Sequence, residues 1–248
     1  MEVRREAVSD AIRIQGLRKS FVLSLSGEGS LKTAALWWKR RQLEQIEVLR
    51  GIDLKVPKGQ CLAVIGRNGA GKSTLLSILA RVYLPSEGLV EVEGRLAPLL
   101  ELGAGFHPDL SGRENVMFNS MILGLGRAEA LARTPAVLAF SGIEQFADAP
   151  VRAYSSGMLA RLGFSVAVHV DADILVVDEV LAVGDAEFEA KCYERIEQFR
   201  AEGGTIIFVS HDLDAVSRVA DRCVWLKDGV VHEDGDVGQV IAAYRASV

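Results

Sequence analysis

The sequence has no apolar stretch that approaches the ~20 residues of a membrane-spanning helix. Its first residues, MEVRREAVSD, also lack the apolar core of a secretory signal peptide. These two absences predict a cytosolic protein that reaches a membrane only at its surface or through a partner.

The sequence also has few cysteines and no excess of positive charge. The three cysteines, Cys61, Cys192 and Cys223, are isolated and form no CxxC pair. They are predicted to be small buried side chains of a protein in a reducing compartment. The 28 Lys and Arg residues are outnumbered by 33 Asp and Glu, which gives a net charge of −5. We therefore expect no nucleic-acid partner.

What is present is an alternation of strand and helix patterns. Three short, continuous apolar runs are typical of strands that are buried on both faces. These runs lie at 61–65, 174–177 and 205–210. Helical patterns follow them at 73–82, 186–202 and 213–220. The alternation predicts an α/β fold with a mainly parallel sheet covered by helices.

Further segments extend this core. Residues 11–25 alternate apolar and polar side chains and predict an edge strand with its turn. A second strand is predicted at 48–56, and a hairpin at 223–233 precedes a last short helix at 237–245. Residues 113–170 are mostly helical, and we expect them to form an inserted subdomain.

The segment 66–73, Gly-Arg-Asn-Gly-Ala-Gly-Lys-Ser, fits the phosphate-loop pattern G-x-x-x-x-G-K-[ST] without a mismatch. It follows a predicted buried strand and opens a predicted helix, which is the context that the pattern requires. Its glycines let backbone N–H groups converge on phosphate oxygens, while Lys72 reaches the β- and γ-phosphates and Ser73 ligates Mg²⁺. The predicted Mg-ATP contacts are Gly66, Asn68, Gly69, Ala70, Gly71, Lys72, Ser73 and Thr74.

The apolar run at 174–177 ends in two acidic residues, Asp178 and Glu179. Ligands of open α/β sheets bind beyond the carboxyl ends of the strands. We therefore expect Asp178 to hold Mg²⁺ through water and Glu179 to polarise the attacking water as general base. Alone, such a strand end is more often simply solvated, and the phosphate loop is what favours the catalytic interpretation.

Three features resemble ABC ATPases. Tyr-Ser-Ser-Gly-Met at 154–158, followed by a helical run at 159–170, is similar to the family's signature motif LSGGQ. His211, directly after a predicted strand, resembles the family's switch histidine. Asp185, six residues beyond Glu179, resembles the D-loop aspartate. The order of these motifs is that of the family and covers nearly the whole chain.

This resemblance implies a P-loop NTPase fold of ABC type, as a single ATP-binding domain over residues 1–248. Residues 11–97 and 171–248 would form the core with an N-terminal antiparallel β subdomain. Residues 98–170 would form the inserted helical subdomain.

The same resemblance implies a site shared between two copies of the chain. Ser155, Ser156 and Gly157 of one copy would bind the γ-phosphate that the phosphate loop of the other copy holds. Two ATP molecules would then join a head-to-tail dimer. In this scheme catalysis is carried by Lys72, Glu179 and His211.

Two ATP contacts that the family makes are not assigned to a single residue of this sequence. Where the family's glutamine loop is expected, Glu101 or Leu102 stands instead of a glutamine. An aromatic residue upstream of the phosphate loop is expected to stack on adenine. Phe21 matches that position best, with Trp37 or Trp38 as the less favoured alternatives.

Residues 99–115, LLELGAGFHPDLSGREN, together with 154–158 and 178–185, resemble one subfamily. Its members are the ATPase subunits of ABC exporters for lipid-linked polysaccharides such as O-antigen, teichoic acid and capsule. The resemblance implies an integral membrane permease as partner and a polysaccharide cargo that passes through it. It also implies a peripheral place on the cytoplasmic face of the bacterial inner membrane.

An extra amphipathic helix predicted at 30–46 fits a role beside the membrane. Residues 30–41 carry four basic side chains and no acidic one, next to Trp37 and Trp38. Cations and aromatic rings both find partners at a membrane–water interface. The alternative is an ordinary surface helix whose tryptophans pack on the domain.

Two other classes of protein share part of this motif set. One is an ABC ATPase without a permease, which acts on a nucleoprotein or another macromolecular partner. Such proteins usually fuse two ATPase domains or carry long coiled coils, whereas this chain has one domain and no heptads. The other is a binding module that has lost hydrolysis, which is disfavoured because Lys72, Asp178, Glu179 and His211 are all present.

Overall fold

The computed structural model describes residues 9–24, 43–100, 103, 105–178 and 184–247. The strands are β1 (Asp10–Ser24), β2 (Leu43–Pro57), β3 (Cys61–Ile65), β4 (Glu87–Val92), β5 (Leu96–Leu99), β6 (Ile174–Asp178), β7 (Thr205–Val209), β8 (Arg222–Lys227) and β9 (Val230–Gly235). The helices are α1 (Lys72–Leu79), α2 (Gly112–Ile122), α3 (Arg127–Ser141), α4 (Ser156–Ala167), α5 (Ala186–Ala201), α6 (Leu213–Val219) and α7 (Val237–Ser247).

The larger sheet has six strands in the order β5-β6-β7-β3-β8-β9. All neighbouring strands in it run parallel except β8 and β9, which form an antiparallel hairpin. Every residue of β3 and β7 is buried, because these central strands are covered on both faces. This arrangement confirms the mainly parallel, helix-covered sheet that the apolar runs predict.

The smaller sheet is antiparallel, with the order β2-β1-β4. The prediction that residues 11–25 form an edge strand was wrong, because β1 is the central strand. Arg13, for example, is paired with Lys55 on one side and with Glu91 on the other. Alternation of apolar and polar residues reports that one face of a strand is buried, but it does not report how many neighbours the strand has.

The helix predicted at 30–46 was wrong at its carboxyl end. Residues 43–46 belong to β2, where Gln45 is paired with Val22 and Ile46 with Phe21. Cross-strand pairing with β1 therefore overrides the helical spacing there. The rest of the predicted helix, including Trp37 and Trp38, lies outside the described residues.

Strand β5 has no counterpart among the predicted elements. It is an edge strand of the larger sheet, where Pro98 is tolerated because an edge strand does not need every N–H for a ladder. Ala97 and Leu99 are nevertheless fully buried. Pro98 and the glycines that follow it are more typical of a loop, so the sequence pattern does not predict this strand.

Helices α2, α3 and α4 form the predicted helical insert, and two short 3₁₀ turns, at Glu144–Phe146 and Val151–Ala153, lie between α3 and α4. They share an apolar cluster of their own, which includes Val116, Leu138 and Leu162. Helix α2 begins with a capping box. Ser111 Oγ accepts the Glu114 N–H at 3.3 Å, and the Glu114 carboxylate accepts the Ser111 N–H at 2.8 Å.

The three cysteines are free and fully buried, as predicted. Burial raises the pKa of each thiol, Cys61, Cys192 and Cys223, to about 12. The thiols therefore stay protonated at neutral pH and act as small apolar side chains. Among the described residues, none of the helices combines the length and apolar character needed to cross a bilayer.

Asn115 holds the turn before α2 in place. Its side chain is fully buried, accepts the His107 N–H at 2.7 Å, and donates to the carbonyl oxygens of His107, Leu110 and Ser111 at 3.0–3.1 Å. We expect Asn115→Ala to lower the free energy of unfolding by about 3 kcal/mol, because it removes four hydrogen bonds made by a buried side chain and takes away the acceptor of the His107 N–H. Urea unfolding followed by circular dichroism measures this loss.

Asn119→Ala is the matched control for that measurement. Asn119 lies one turn later on α2 and donates one bond, to the Asn115 carbonyl oxygen at 3.0 Å. Its removal is expected to cost less than about 1 kcal/mol. Equal losses for the two variants would contradict the role given to Asn115.

Candidate nucleotide-binding site

The segment 66–71 joins β3 to α1, as the sequence predicts. Gly66, Gly69 and Gly71 have φ angles of 152°, 81° and 103°, a region that L side chains rarely adopt. Space is also lacking. A Cβ atom at Gly66 would overlap the carbonyl oxygen of Leu226, and one at Gly71 would lie 2.7 Å from Leu49 Cδ2. The loop therefore requires glycine for both conformation and contact.

Lys72 is the first residue of α1 and is only 6% exposed. Its Nζ donates to the carbonyl oxygens of Gly66 at 2.7 Å and Arg67 at 3.2 Å. The ammonium group is thus held inside the loop by backbone dipoles. Together with the helix N-terminus, it places positive charge where phosphate oxygens would lie.

An open cleft of about 690 Å³ lies over this loop. Six of its lining residues belong to the predicted phosphate-binding set: Asn68, Gly69, Gly71, Lys72, Ser73 and Thr74. Asp178 and His211, which are far away in the sequence, line the same cleft. They meet there because β3, β7 and β6 are parallel neighbours, so that their carboxyl ends share one edge of the sheet.

The chemistry of the lining suits Mg²⁺. The Ser73 hydroxyl and the Asp178 carboxylate are hard oxygen donors facing one cleft. Mg²⁺ usually takes one or two such protein ligands and completes its shell with phosphate oxygens and water. These two residues fit that requirement, and they are the pair that the sequence predicts.

His211 stands in a tight turn between β7 and α6. Ser210 Oγ accepts the Asp212 N–H at 3.0 Å. The Asp212 carboxylate caps α6 by accepting the N–H groups of Asp214 at 2.9 Å and Ala215 at 3.1 Å. The neighbours of His211 are therefore fixed by hydrogen bonds, and the imidazole is presented at the cleft.

The signature segment stands apart from this cleft. Helix α4 begins at Ser156, and the Ser155 hydroxyl caps it by accepting the Met158 N–H at 3.2 Å. Ser155 and Ser156 are exposed. Among the described residues, those that line the cleft do not include Ser155, Ser156 or Gly157. One chain by itself therefore does not bring the signature to its own phosphate loop.

Asp185 lies at the amino end of α5 and caps it, with its carboxylate accepting the Phe188 N–H at 3.0 Å. It also forms an ion pair with Arg161 of α4. The Phe188 N–H and then Arg161 hold the pKa of this carboxyl below its usual range. Arg161 is absent from the predicted site, because nothing in its sequence context distinguishes it from a surface arginine.

Phe21, the residue predicted to stack on adenine, is not among the described residues that line the cleft. Phe21 packs edge to face against Tyr83, with ring centroids 5.3 Å apart, and Lys19 Nζ lies 4.9 Å from the Phe21 centroid. The described lining of the cleft includes Val48 and Leu100, which sequence reasoning missed, and not Phe21. No motif marks these two aliphatic residues, because their position depends on packing between β2, β5 and the loop.

Like Trp37 and Trp38, the predicted residues Glu101, Leu102 and Glu179 lie outside the described part of the chain. Their expected roles stay predictions.

A second cavity, of about 510 Å³, lies at the amino ends of β6 and β7. Its lining includes Lys58 and Glu93, which pair with each other at 2.6 Å. No predicted site residue lines it, and parallel sheets bind ligands at the opposite, carboxyl ends of their strands. The cleft over the phosphate loop is therefore the candidate site.

Comparison with known proteins agrees with this geometry. The family model described as "ABC transporter" matches residues 49–182, more than half of the chain. The chain is 46% identical over 246 residues to the O-antigen export system ATP-binding protein RfbB of Myxococcus xanthus, with 96% of this chain and 56% of that protein covered. It therefore spans little more than half the length of that relative.

Other curated relatives are of similar length to this chain or longer. The O-antigen export system ATP-binding protein RfbB of Klebsiella pneumoniae is 48% identical over 200 residues, which is 81% of each chain. The teichoic acids export ATP-binding protein TagH of Shouchella clausii is 38% identical over 232 residues, with 94% of this chain and 64% of that protein covered.

Solved structures share the fold. An ATP-binding subunit of an ABC transporter superposes with a TM-score of 0.75 at 21% identity, covering 95% of this chain and 93% of that one. A dimeric ATP-binding cassette in a post-hydrolysis state bound to ADP and Pi superposes with a TM-score of 0.72 at 20% identity, covering 91% and 98%. The fold class predicted from the sequence is confirmed. The chain belongs to the ABC transporter family.

Proposed function

We propose that this chain binds Mg-ATP in the cleft over residues 66–73 and hydrolyses it between two copies of itself, to power export of a lipid-linked polysaccharide of the O-antigen, teichoic acid or capsule type. The observation that carries the proposal is the convergence of the phosphate loop, Asp178 and His211 on one cleft, with the signature outside it. The export names of the relatives support the cargo class.

The loop binds the nucleotide through fixed positive groups. Backbone N–H groups of the loop and the amino end of α1 surround the phosphates, and no acidic residue lies in the first turn of that helix. Lys72 neutralises charge on the β- and γ-phosphates. Ser73 and Asp178, which line the cleft, would hold Mg²⁺, and the bound ion would draw electron density from the phosphate oxygens.

Hydrolysis needs a base and a group that stabilises the transferred phosphoryl. Glu179 follows Asp178 directly in the sequence and is proposed to orient the attacking water and accept its proton. His211 faces the cleft and is proposed to donate a hydrogen bond to the γ-phosphate as negative charge moves. Catalysis in this scheme is mostly positioning and electrostatic stabilisation.

The missing half of the site comes from a second copy. Ser155 and Ser156 are exposed at the amino end of α4, and the first turn of this helix contains no acidic residue. Such an end favours an anion. We propose that it closes over the γ-phosphate held by the partner copy, so that two ATP molecules join the dimer.

The helical insert offers a place for the membrane permease. Phe118, Met121 and Ile122 of α2 are spaced i, i+3 and i+4, so they share one helix face, and all three are exposed. An exposed apolar face favours a protein partner. We propose that the permease docks here, on the cytoplasmic face of the inner membrane. This face and the relatives' names favour transport over a nucleoprotein-directed ABC ATPase.

The shared site is tested by mixing two inactive variants. Lys72→Ala damages the phosphate-loop half and Ser155→Arg damages the signature half, and each alone is expected to lose at least about a hundredfold in ATP turnover. Their mixed dimer contains one site with both lesions and one intact site. Random association should therefore restore about a quarter of the wild-type turnover.

A mixture of Lys72→Ala with Asp178→Ala is the matched control. Both changes damage the same half of the site, so that no intact site forms and turnover should stay absent. Recovery in the control mixture, or none in the test mixture, would contradict the shared site. Glu179→Gln gives a second measurement, since it should bind Mg-ATP and stay dimeric by light scattering.

Docking on α2 is tested by Phe118→Glu, which puts a charge into the apolar face. We expect it to weaken co-purification with the cognate permease by about tenfold, because a charge buried at an interface without a partner is costly. Leu131→Glu on α3 is the control, since Leu131 is also exposed. Equal loss in both variants would indicate a general surface effect instead of a docking site.

A further inference from the structure

Tyr154, the first residue of the signature segment, is enclosed within the helical insert. Its side chain is 7% exposed and belongs to the apolar cluster that α2, α3 and α4 share. The signature motif LSGGQ begins with leucine, whereas this chain has tyrosine at the same place. A leucine would also fill apolar space but has no polar atom. The hydroxyl group is therefore what this chain adds.

That hydroxyl makes a short hydrogen bond. It donates to the Phe146 carbonyl oxygen at 2.6 Å and so closes residues 146–154 into a loop. Burial raises the pKa of the Tyr154 hydroxyl above its ordinary value. The group therefore stays protonated at neutral pH and remains a donor. A shift of the ring would break this bond.

Gly112, the first residue of α2, lies against the same hydroxyl. A Cβ atom at Gly112 would lie 2.2 Å from Tyr154 Oη and 3.1 Å from Tyr154 Cζ. The backbone of Gly112 is helical, and other residues adopt that conformation as readily. Glycine is therefore needed at this position for space, and the space is taken by the tyrosine oxygen.

Two backbone segments support the contact. Residues 108–113 and 147–152 run antiparallel and are joined by four backbone hydrogen bonds of 2.9–3.2 Å. An ion pair between Arg152 and Asp109 lies beside these bonds. The stretch that leads into the signature is thus fixed on the turn and the first residues of α2.

The residue after Tyr154 is the cap of α4. Ser155 Oγ accepts the Met158 N–H at 3.2 Å, and both Ser155 and Ser156 are exposed. Because a planar peptide joins Tyr154 to Ser155, a fixed tyrosine ring restricts where the cap points. Direction matters for the proposed dimer, since a misplacement of about 1 Å can cost a hundredfold in rate.

Stability alone gives a weak reason for the hydroxyl. A phenylalanine ring would fill the same part of the apolar cluster. Glycine is also a poorer helix former than alanine, so the chain accepts a less stable start of α2 to make room for the oxygen. The consistent effect of the contact is geometric, because it fixes the amino end of α4 relative to α2.

We propose that Tyr154 is a positioning residue, whose hydroxyl fixes the direction in which Ser155 and the amino end of α4 face the partner's nucleotide. This inference rests on the proposed ATPase dimer. The Phe146 carbonyl oxygen and the Gly112 backbone hold the hydroxyl from two sides. Tyr154 itself is buried and acts through Ser155.

The first test compares single and double variants by steady-state ATP turnover. Tyr154→Phe keeps the ring and removes the hydroxyl. We expect kcat to fall about fivefold and the KM for ATP to change by less than about twofold, because the phosphate loop is untouched. Gly112→Ala places a methyl group where the oxygen lies and should lower kcat about tenfold. The double variant should be more active than Gly112→Ala alone, because removal of the oxygen makes room for the methyl group.

Subunit mixing shows which half of the shared site is damaged. Mixed dimers of Gly112→Ala with Lys72→Ala contain one intact site, so the mixture should reach about a quarter of the wild-type turnover. Mixed dimers of Gly112→Ala with Ser155→Arg contain none, because both lesions lie in the signature half. That mixture should stay near the average of its two proteins, about a twentieth of the wild type.

Two controls separate positioning from folding. Gly126→Ala should keep wild-type turnover, because a Cβ atom at Gly126 meets nothing within 4 Å. Thermal unfolding of Tyr154→Phe within a few degrees of the wild type shows that the fold is intact. If Gly112→Ala does not fold, Tyr154→Phe takes its place in the two mixtures.

Three results would overturn the inference. They are unchanged kcat in Tyr154→Phe, a double variant less active than Gly112→Ala, and a mixture with Lys72→Ala no more active than the average of its two proteins. All three leave the proposed function standing if the mixture of Lys72→Ala with Ser155→Arg recovers turnover. Failure of that mixture, or absence of turnover in the wild type, would instead overturn the proposed function itself.

Discussion

The close approach of backbone to backbone at the phosphate loop is the contact on which the rest of the molecule depends. At Gly66 the loop touches β8, and at Gly71 it touches β2, without room for a side chain. The Gly229 N–H of the β8–β9 hairpin donates to the Ala70 carbonyl oxygen of the loop at 3.2 Å. The Gly229 carbonyl oxygen in turn accepts the Arg50 N–H of β2 at 2.9 Å. The loop is therefore one of the places at which both sheets are joined.

This junction explains why the groups with chemical roles come from distant parts of the sequence. Parallel strands carry their carboxyl ends to one edge, where Asp178 and His211 arrive beside Lys72. The helical insert, in contrast, has its own apolar cluster, and the amino end of α4 lies on its surface. In the proposed dimer, these two parts of the chain would be the halves of a site that a second copy completes.

Local patterns in the sequence were sufficient for the elements that carry the loop. The apolar run at 61–65, the glycines and the start of α1 are set by neighbours in the chain, and the structure agrees with them. Long-range pairing was not visible in the same way. The neighbours of β1, strand β5 with its proline, and the cleft residues Val48 and Leu100 depend on strands far away in the sequence. The ion pair of Arg161 was not visible for the same reason, since its partner Asp185 lies at the start of α5, beyond strand β6.

The stability of the fold does not by itself determine which residue caps α4. Serine and aspartate are about equally good helix caps, so stability would accept either residue at position 155. A hydroxyl that accepts the Met158 N–H still has its own hydrogen to give, whereas a carboxylate accepts only and carries a negative charge. A library varied at this position and sorted for thermal stability should return both residues. Sorting the same library for growth that requires the transporter should return serine and discard aspartate.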